Sequence, residues 1–412
     1  TLAMLAVLVA QHALLLLFAW EGMTLLSALL VAHDSRSGRA RQATFTYLAL
    51  SHLGTACLAL ALLTLGSRAG GFTFTALAQA FVTQPPADAT WIAWLLTAGF
   101  LVKLGVVPLH VWLPLAHPEA PPATSALMSG AMVKLGLYGL LRFVWQLPGA
   151  PPAHWGTVLL LAGIVTALTG ALYATIETDA KRLLAWSTIK HAGVLTLATG
   201  LAALFKQAGR ADLAGLALAA VFVHALGHAL AKSAAFLAYG HAVHAARVRD
   251  LERLGGLARV MPGTSWAALL ATLALAGLPL FACFTGEWLV MQALILGYSA
   301  GTGTLRLLAP FAAAGLALAG QPGSALLAQK PAAPAAQANG EPPEEDTTLL
   351  PKEEYAFNPL QAAKEIKIGQ YYLKKGSLKA AIKRFQEASK WDPGSPDAFL
   401  WLGETYERMK DT

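Results

Sequence analysis

The sequence predicts an all-α fold, in which a polytopic bundle of transmembrane helices contains broken helices and is followed by a linker and a small helical repeat. Apolar residues make up 56% of the 412 positions and charged residues only 13%. The mean hydropathy is +0.53, well above the range of soluble domains. The composition then changes sharply after Gly320. A lipid bilayer is therefore the expected solvent for most of the chain.

Long apolar runs define the expected spans, because a helix needs about 20 apolar residues to cross the hydrocarbon core of a bilayer. Eight such segments are expected, at about 13–32, 41–65, 91–113, 122–145, 155–175, 181–205, 213–244 and 264–297. Residues 1–9 have the character of the end of an earlier span, and further helices are expected upstream.

Two of the expected spans carry helix breakers at membrane depth. Pro108 follows Lys103 by five residues, and Gly277, Pro279 and Gly286 lie in the span that holds Glu287. A broken helix inside a membrane usually lines a polar cavity. Both breaks are therefore expected beside functional groups.

Charge is unevenly distributed along the chain. Residues 1–320 carry 18 Lys/Arg and 10 Asp/Glu, whereas the last 92 residues carry 12 and 13. The basic excess belongs to the membrane region and predicts topology rather than a nucleic-acid surface. Because successive spans cross the membrane in opposite directions, the larger set of basic residues is assigned to the cytoplasmic face: Arg36, Arg39, Arg41, Lys181, Arg182, Arg247, Arg249, Arg253 and Arg259. The smaller set of Arg68, Lys206 and Arg210 belongs to the opposite face.

The two cysteines exclude several kinds of site. Cys57 and Cys283 both lie in apolar stretches, and two thiols do not make an iron–sulfur centre, a zinc site or a disulfide framework. Redox chemistry is therefore expected elsewhere, and no cofactor is expected in this chain.

Ionisable residues inside the expected spans are the candidate functional groups. A charge at the centre of a membrane helix costs about 2.5–3.5 kcal/mol on insertion scales, so each one needs a reason to be there. At least six occur, among them Glu21, Lys103, Lys134, Lys190, Lys232 and Glu287. Groups of this kind on successive spans suit a proton relay, and the alternative is that they are ion pairs that hold helices together. For Lys190, snorkelling from near a helix start is an equal alternative.

Histidines extend this set. His224, His228 and Lys232 are spaced by four residues, which places them along one face of a helix. Imidazole titrates near neutral pH and can pass protons between lysines. A His pair at i and i+4 is also a zinc motif, but no third ligand is evident and a metal is not expected. His110 and His117 flank the loop after Pro108, where a structural role is equally plausible.

After Gly320 a Pro-, Ala- and acid-rich stretch over residues 321–357 is predicted to be a linker. Residues 358–412 then show the spacing of a tetratricopeptide repeat, carried by Gly369, Tyr372, Gly376, Ala381, Phe385, Ala388 and Pro393. Gly403 and Tyr406 recur 34 residues after Gly369 and Tyr372. The protein ligand of such a repeat is not specified by these residues.

Residues 305–328 also fit a signal peptide, with Arg306, an apolar run and small residues near Ser324 to Ala328. One hypothesis is therefore that the chain joins a transporter over residues 1–320 to an exported repeat protein.

Five stretches resemble the antiporter-like membrane subunits of complex I: WEGMTLLS, KLGVVPLHVWLPLAHPEAPPATSALMSGAMVKLGLYGLLR, DAKRLLAWSTI, HALAKS and GEW. The similarity covers about residues 1–320. MVKLGLYGLLR, HALAKS and RDLERLGGL are most similar to the large membrane subunit of formate hydrogenlyase and hydrogenase-4 type complexes.

The resemblance implies a pairing and an axis of polar residues. In this family the glutamate matching Glu21 pairs with the lysine matching Lys103, and positions matching Lys134, Lys232 and Glu287 continue a polar axis along the membrane midplane. Lys190 and His191 stand where hydrogenase-type members tend to have an acidic residue. The candidate proton-translocating residues are thus Glu21, Lys103, Lys134, His224, His228, Lys232 and Glu287, followed in rank by Lys190, His191 and His110.

The implied function is that of a non-catalytic, multi-pass subunit in a bacterial or archaeal inner membrane, which moves protons or sodium ions when other membrane and peripheral subunits of a hydrogenase or quinone-reductase complex transfer electrons. One alternative is a subunit of a multisubunit cation/proton antiporter. Another is a membrane-anchored interaction protein that binds a partner through its repeat. An anchor needs no buried lysines, which argues against this last alternative.

Overall fold

In the computed structural model of this protein, the described residues are 1–83, 89–146, 152, 154–300, 303–320 and 358–410. The chain divides into two units, Thr1–Pro334 and Ala335–Thr412. The predicted linker over residues 321–357 lies outside the described residues.

The described part of the first unit is built from helices. Its first half comprises α1 Leu2–Val9, α2 Ala13–Val31, α3 Gly38–Ala69, α4 Phe74–Thr83, α5 Ala89–Leu104, α6 Trp112–Glu119, α7 Pro122–Leu127 and α8 Val133–Gly139, with π-helical turns at Met128–Met132 and Leu140–Gln146. Its second half comprises α9 Trp155–Ile176, α10 Ala180–Gln207, α11 Ala211–Ala246, α12 Leu257–Val260, α13 Pro262–Leu275, α14 Ala282–Ala300 and α15 Gly303–Gly320.

Six stretches in the described part of the chain are long and apolar enough to cross a membrane: Ala13–Val31, Gly38–Ala69, Pro122–Trp145, Trp155–Ile176, Ala180–Gln207 and Ala211–Ala246. They coincide with six of the eight expected spans. The other two expected spans, 91–113 and 264–297, are each divided into two shorter helices. The prediction that these two carry breaks is thus confirmed, and neither is one continuous helix.

Backbone conformation explains both breaks. α5 ends at Leu104, just before Gly105, whose φ of 78° is readily adopted only by glycine, and Pro108 follows before α6 begins. α13 ends before Gly277, with a φ of 71°. Gly286, in contrast, lies inside α14 and does not break it.

Helix α10 occupies the centre of the bundle. The 18-residue apolar stretch of α10 is 100% buried, compared with 33–67% of the corresponding stretch in the other five spans. Glycines let α9 approach it closely, because a Cβ at Gly170 would lie 2.7 Å from Lys190 Cα. The side chains of α10 therefore meet other helices rather than lipid.

Residues 305–320 of the expected signal-peptide segment belong to α15, and residues 321–328 of that segment lie outside the described residues. Ala309, Ala312, Leu316 and Ala319 belong to the same buried apolar cluster as the other helices of the first unit. Gly315 faces Ile164 of α9, with Cγ2 of Ile164 3.0 Å from a Cβ built at the glycine. The helix is thus packed into the bundle.

In the second unit, helices Pro359–Lys374, Leu378–Trp391 and Pro396–Lys410 pack in order. Ala381, Phe385 and Ala388 are fully buried. A Cβ at Gly369 would lie 2.5–2.8 Å from the Phe385 ring. Small residues therefore let the first two helices touch while the aromatic ring fills the space, as the repeat pattern predicts.

The predicted cytoplasmic loops meet at one carboxylate. Glu119 Oε1, at the end of α6, lies 4.0 Å from Arg39 Nε and 3.2 Å from Arg249 Nη1. The loop before α3 and the loop after α11 therefore lie on the same side of the bundle. The positive-inside rule predicts that this side is cytoplasmic.

This orientation predicts the outcome of cysteine labelling in cells. With Cys57 and Cys283 replaced by alanine, Arg39→Cys and Arg249→Cys should not react with a membrane-impermeant maleimide added from the periplasmic side. Arg210→Cys, at the opposite end of the α10–α11 pair, should react and serves as the control. Labelling of the first two variants together with protection of the third would reverse the topology.

Candidate functional site

Lys103 is held in a pocket of hydroxyl groups, here called the hydroxyl pocket and formed by Thr24, Tyr47 and Ser51. Its ammonium donates hydrogen bonds to Thr24 Oγ1 at 2.9 Å, the Tyr47 hydroxyl at 3.2 Å and Ser51 Oγ at 3.3 Å. The lysine is 1% exposed and lies in the last turn of α5, where the helix dipole favours a cation. Neutral oxygens thus solvate this charge.

Aromatic rings complete the pocket. Lys103 Nζ lies 5.0 Å from the centre of the Tyr47 ring and 5.9 Å from that of Trp20, within the range of cation–π attraction. The Tyr47 hydroxyl is in turn 2.7 Å from Ser27 Oγ. The pocket therefore stabilises the charged form of the lysine without a contacting carboxylate.

Glu21 does not form the ion pair with Lys103 that the family resemblance implies. Its Oε1 lies 2.9 Å from Nε2 of His52, on α3. Trp20 and Thr24, four residues apart, occupy the face of α2 that meets Lys103, and Glu21 is displaced from that face by about 100° around the helix. The family pattern therefore pairs Glu21 with Lys103, whereas in the structure the partner of Glu21 is His52.

The second site is a group of titratable side chains, here called the histidine cluster, in which Lys190, His191, His224 and His228 are buried and Lys134 and Glu287 are partly buried. Lys134 Nζ lies 2.6 Å from the Ser129 carbonyl oxygen and 2.5 Å from His228 Nδ1. An ammonium only donates, so His228 Nδ1 accepts and the ring proton of neutral His228 is on Nε2. The His228 and His191 ring centroids are 4.6 Å apart.

His191 connects three helices. Its Nδ1 is 3.0 Å from His224 Nε2 on α11 and 3.9 Å from Glu287 Oε1 on α14. His224 Nδ1 faces the Cys283 carbonyl oxygen at 3.2 Å and must carry the proton, because a carbonyl only accepts. His224 Nε2 is then the acceptor, and neutral His191 donates through Nδ1.

Lys190 pairs with the same carboxylate. Its Nζ lies 3.3 Å from Glu287 Oε1. The residue is 6% exposed on the central helix, so it does not snorkel to the interface. Lys190 and His191, ranked below the other candidates from sequence, are thus brought into direct contact with Glu287.

Glycines set the position of Glu287. A Cβ at Gly286 would lie 2.8 Å from His224 Cα, so only glycine lets α14 approach α11 this closely. Gly277, at the helix break, faces Glu287 Oε2, which is 3.2 Å from a Cβ built there. The second break therefore lies beside the carboxylate, as its placement in the sequence suggests.

Lys134 lies between two π-helical turns, Met128–Met132 and Leu140–Gln146. Such turns are rare and occur frequently at functional sites. One of them contains Ser129, whose carbonyl accepts the hydrogen bond from Lys134. The sequence reading of a regular span at 122–145 does not anticipate this local distortion.

Lys232 is fully buried one turn beyond His228, and no protein group among the described residues hydrogen-bonds its Nζ. Its electrostatic neighbours include Lys134 and Lys190, which are also cationic when protonated. The predicted stripe of His224, His228 and Lys232 is thus buried as a whole. Lys232 remains its least satisfied member.

The loop histidines lie apart from the cluster contacts. The His110 ring packs 5.6 Å from Trp186, and His117 stacks 4.8 Å from Phe236. Among the described contacts, no hydrogen bond or ion pair joins either ring to the histidine cluster.

Sequence reasoning missed the four partners of Lys103 and Glu21, namely Thr24, Tyr47, Ser51 and His52. A signal was present, because Tyr47 and Ser51 are spaced by four residues and place two hydroxyls on one face of an apolar span. Uncharged polar residues cost less free energy in a membrane than charged ones, so hydropathy distinguishes them less clearly from their apolar neighbours.

Two known protein families match parts of this chain. Residues 10–309 match the family described as NADH:quinone oxidoreductase/Mrp antiporter, TM, and residues 369–410 match the TPR repeat family. The second match agrees with the repeat inferred from residue spacing.

Individual relatives point the same way. An uncharacterized protein of Mycobacterium tuberculosis is 44% identical over 71% of this chain and 45% of its own length. Hydrogenase-4 component B of Escherichia coli K12 is 35% identical over 77% of this chain and 47% of its own length. The structure of the Mrp complex from Dietzia sp. DQ12-45-1b superposes with a TM-score of 0.66 and 30% identity, over 77% of this chain and 33% of the matched chain.

The chain spans about half the length of these curated relatives. Six candidate spans and the match over residues 10–309 make it a multi-pass inner-membrane protein. Over those residues the chain belongs to the antiporter-like membrane-subunit family of NADH:quinone oxidoreductases and Mrp antiporters.

Proposed function

We propose that this chain is the proton-translocating part of a membrane subunit in a redox-driven respiratory or hydrogenase complex. One observation carries the proposal: Lys134, His228, His191, Glu287 and Lys190 lie next to one another across the helices of a membrane bundle, and one step, between the His228 and His191 rings with centroids 4.6 Å apart, has no direct hydrogen bond. Structural ion pairs alone do not require three adjacent histidines between two lysines.

The ring tautomers define a direction for proton transfer. Lys134 gives a proton to His228 Nδ1. His228 then releases its Nε2 proton to the adjacent His191 ring through a bridging water, because neither His228 Nε2 nor His191 Nε2 has a direct hydrogen-bond partner among the described residues. His191 accepts that proton on Nε2 and releases the one on Nδ1 to His224 Nε2 or Glu287. Each imidazole thus gains one proton on one nitrogen and loses one from the other. Protonation of Glu287 neutralises its carboxylate and leaves the Lys190 ammonium, 3.3 Å away, without its counter-ion.

The hydroxyl pocket supplies a second station. A buried lysine is less stable in its charged form than in water, and hydrogen bonds to that form offset the loss. Small shifts in the Thr24, Tyr47 and Ser51 oxygens therefore change how readily Lys103 holds its proton. At the break after Gly105, side chains satisfy backbone groups near the lysine: the Val107 N–H donates to Thr166 Oγ1 at 3.0 Å, and the Val102 carbonyl accepts from Trp112 Nε1 at 2.9 Å.

The proposed partners are other membrane and peripheral subunits of a hydrogenase or quinone-reductase complex, and the transported ion is the proton. The relatives include hydrogenase-4 component B, which supports this assignment. The proposed domains are residues 1–320 for transport, 321–357 as linker and 358–412 as a repeat that binds a protein ligand.

A second candidate is a subunit of a multisubunit cation/proton antiporter, supported by the 30% identity to a chain of an Mrp complex. In that case an imposed cation gradient drives proton movement, and electron transfer is not required.

Vesicle transport separates these functions. The complex that contains the full-length chain is purified and reconstituted into liposomes that hold a pH-sensitive dye. An electron donor and acceptor should drive proton movement into the lumen, and an imposed Na⁺ or K⁺ gradient should not. Gradient-driven proton exchange without electron transfer would favour the antiporter instead. Absence of both would refute transport by this chain.

A further inference from the structure

We propose that His191, His224 and Glu287 form a binding site for a divalent transition metal ion, best suited to Zn²⁺, inside the membrane bundle. The donors come from α10, α11 and α14, and one ligand atom of each lies within 4.8 Å of the others. Two imidazoles and a carboxylate are a common zinc ligand set. The pair at His224 and His228, one helical turn apart, is not the pair that converges here.

The donor spacing fits a tetrahedral ion. Bonds of about 2.0–2.2 Å in tetrahedral geometry place ligand atoms about 3.3–3.5 Å apart. His191 Nδ1 lies 3.0 Å from His224 Nε2 and 3.9 Å from Glu287 Oε1, on either side of that range. The remaining pair, from His224 and Glu287, lies within 4.8 Å, so shifts of the Glu287 side chain of up to about 1.5 Å complete the arrangement.

The surroundings orient the ligands in advance. His224 Nδ1 is 3.2 Å from the Cys283 carbonyl oxygen, which fixes its proton there and directs the Nε2 lone pair towards the other donors. Metal-binding histidines are usually held by such a hydrogen bond from the distal nitrogen. Gly286 brings α14 against α11 at the same place, with its built Cβ 2.8 Å from His224 Cα.

The chemistry of the donors selects the ion. Na⁺, Mg²⁺ and Ca²⁺ prefer oxygen ligands, whereas imidazole suits zinc and its neighbours in the transition series. His191 and His224 are at most 1% exposed, so a bound ion would keep few waters. Zinc tolerates distorted four-coordinate sites because its filled d shell imposes no geometric preference.

Lys190 competes for this site. Its Nζ lies 3.3 Å from Glu287 Oε1, the oxygen that would bind the ion. A cationic neighbour at this distance opposes a second cation, so removal of the lysine charge should strengthen metal binding. The metal would also occupy nitrogens of His191 and His224 that the proposed relay uses. This blocking effect rests on the proposed function, whereas metal binding does not.

Cobalt spectroscopy tests the site directly. The purified full-length chain in lipid nanodiscs is titrated with Co²⁺, and Zn²⁺ is then added as competitor. We expect the strong visible absorption of four-coordinate cobalt, lost on addition of Zn²⁺. His191→Ala and the nearly isosteric Glu287→Gln should weaken binding by at least about tenfold, and Lys190→Gln should strengthen it. His110→Ala, outside the cluster, should leave the affinity unchanged.

Two further measurements are made: thermal unfolding of the variants, and proton uptake by vesicles with and without Zn²⁺. Thermal unfolding of each variant establishes that it is folded, and Glu287→Gln retains the shape of the site if His191→Ala does not fold. Weak six-coordinate absorption, or equal affinity in all variants, would overturn the metal site. Four-coordinate binding with no inhibition of proton uptake would leave the site standing and argue against the relay.

Discussion

Replacing Lys103 with arginine is expected to reduce proton translocation by about 100-fold while the subunit still assembles in its complex. Arginine keeps the positive charge but does not release its proton at physiological pH. The hydroxyl pocket would therefore hold a permanent cation. Lys103→Met, which removes both the charge and the proton, should impair transport to a similar extent.

The measurement is proton uptake by reconstituted vesicles, with complex assembly followed by size-exclusion chromatography. Lys206→Arg is the control, because Lys206 lies near the end of α10 with its Nζ 4.7 Å from the Trp145 ring, away from both polar clusters. If the Lys103→Arg complex pumps normally, Lys103 acts only through its charge and the carrier role is wrong.

The Glu21–His52 contact changes how Lys103 is controlled. The family resemblance implies a direct ion pair, in which movement of the carboxylate loads or releases the lysine proton. Here three hydroxyls occupy that role, and Glu21 lies against His52. A change at Glu21 thus reaches Lys103 through the field of its charge and through α2, which also carries Thr24.

Replacing Lys232 with methionine is expected to raise the stability of the protein and, because it removes a positive charge that acts on Lys134 and Lys190 of the proposed relay, to slow proton transfer. Lys232 is 0% exposed, and no described protein group hydrogen-bonds its Nζ. Removal of an unsatisfied buried polar group recovers about 1–3 kcal/mol, and methionine fills a similar volume. The gain in stability and the loss of function come from the same side chain.

Lys181→Met is the matched control. Lys181 is also buried, but its Nζ donates to the Ala120 carbonyl oxygen at 2.7 Å. Its removal leaves that carbonyl without a donor, so this variant should be less stable than the native protein. Thermal unfolding in one detergent compares both variants, and vesicle uptake gives the transport rate. A lower unfolding temperature for Lys232→Met would mean that this lysine has a structural partner.

Hydropathy and helical periodicity determined much of this protein by themselves. Six expected spans coincide with six single stretches in the structure, because crossing a bilayer leaves a helix little freedom in length and composition. The four-residue spacing of His224, His228 and Lys232 placed them on one buried face, since that relation lies within a single helix. The breaks near Pro108 and Gly277 could also be predicted from the sequence, because the conformational restrictions of proline and the freedom of glycine act locally on the backbone.

Only the tertiary structure decided which of these groups meet. For Lys190, snorkelling to the interface and a relay role were equal alternatives, but α10 starts at Ala180 and lies at the centre of the bundle, so the lysine meets Glu287 instead. The His191–His224–Glu287 convergence and the Glu21–His52 contact likewise join residues on different helices. The order of residues along a helix fixes their relative rotation, whereas the rotation of one helix against another depends on how all of their side chains pack together.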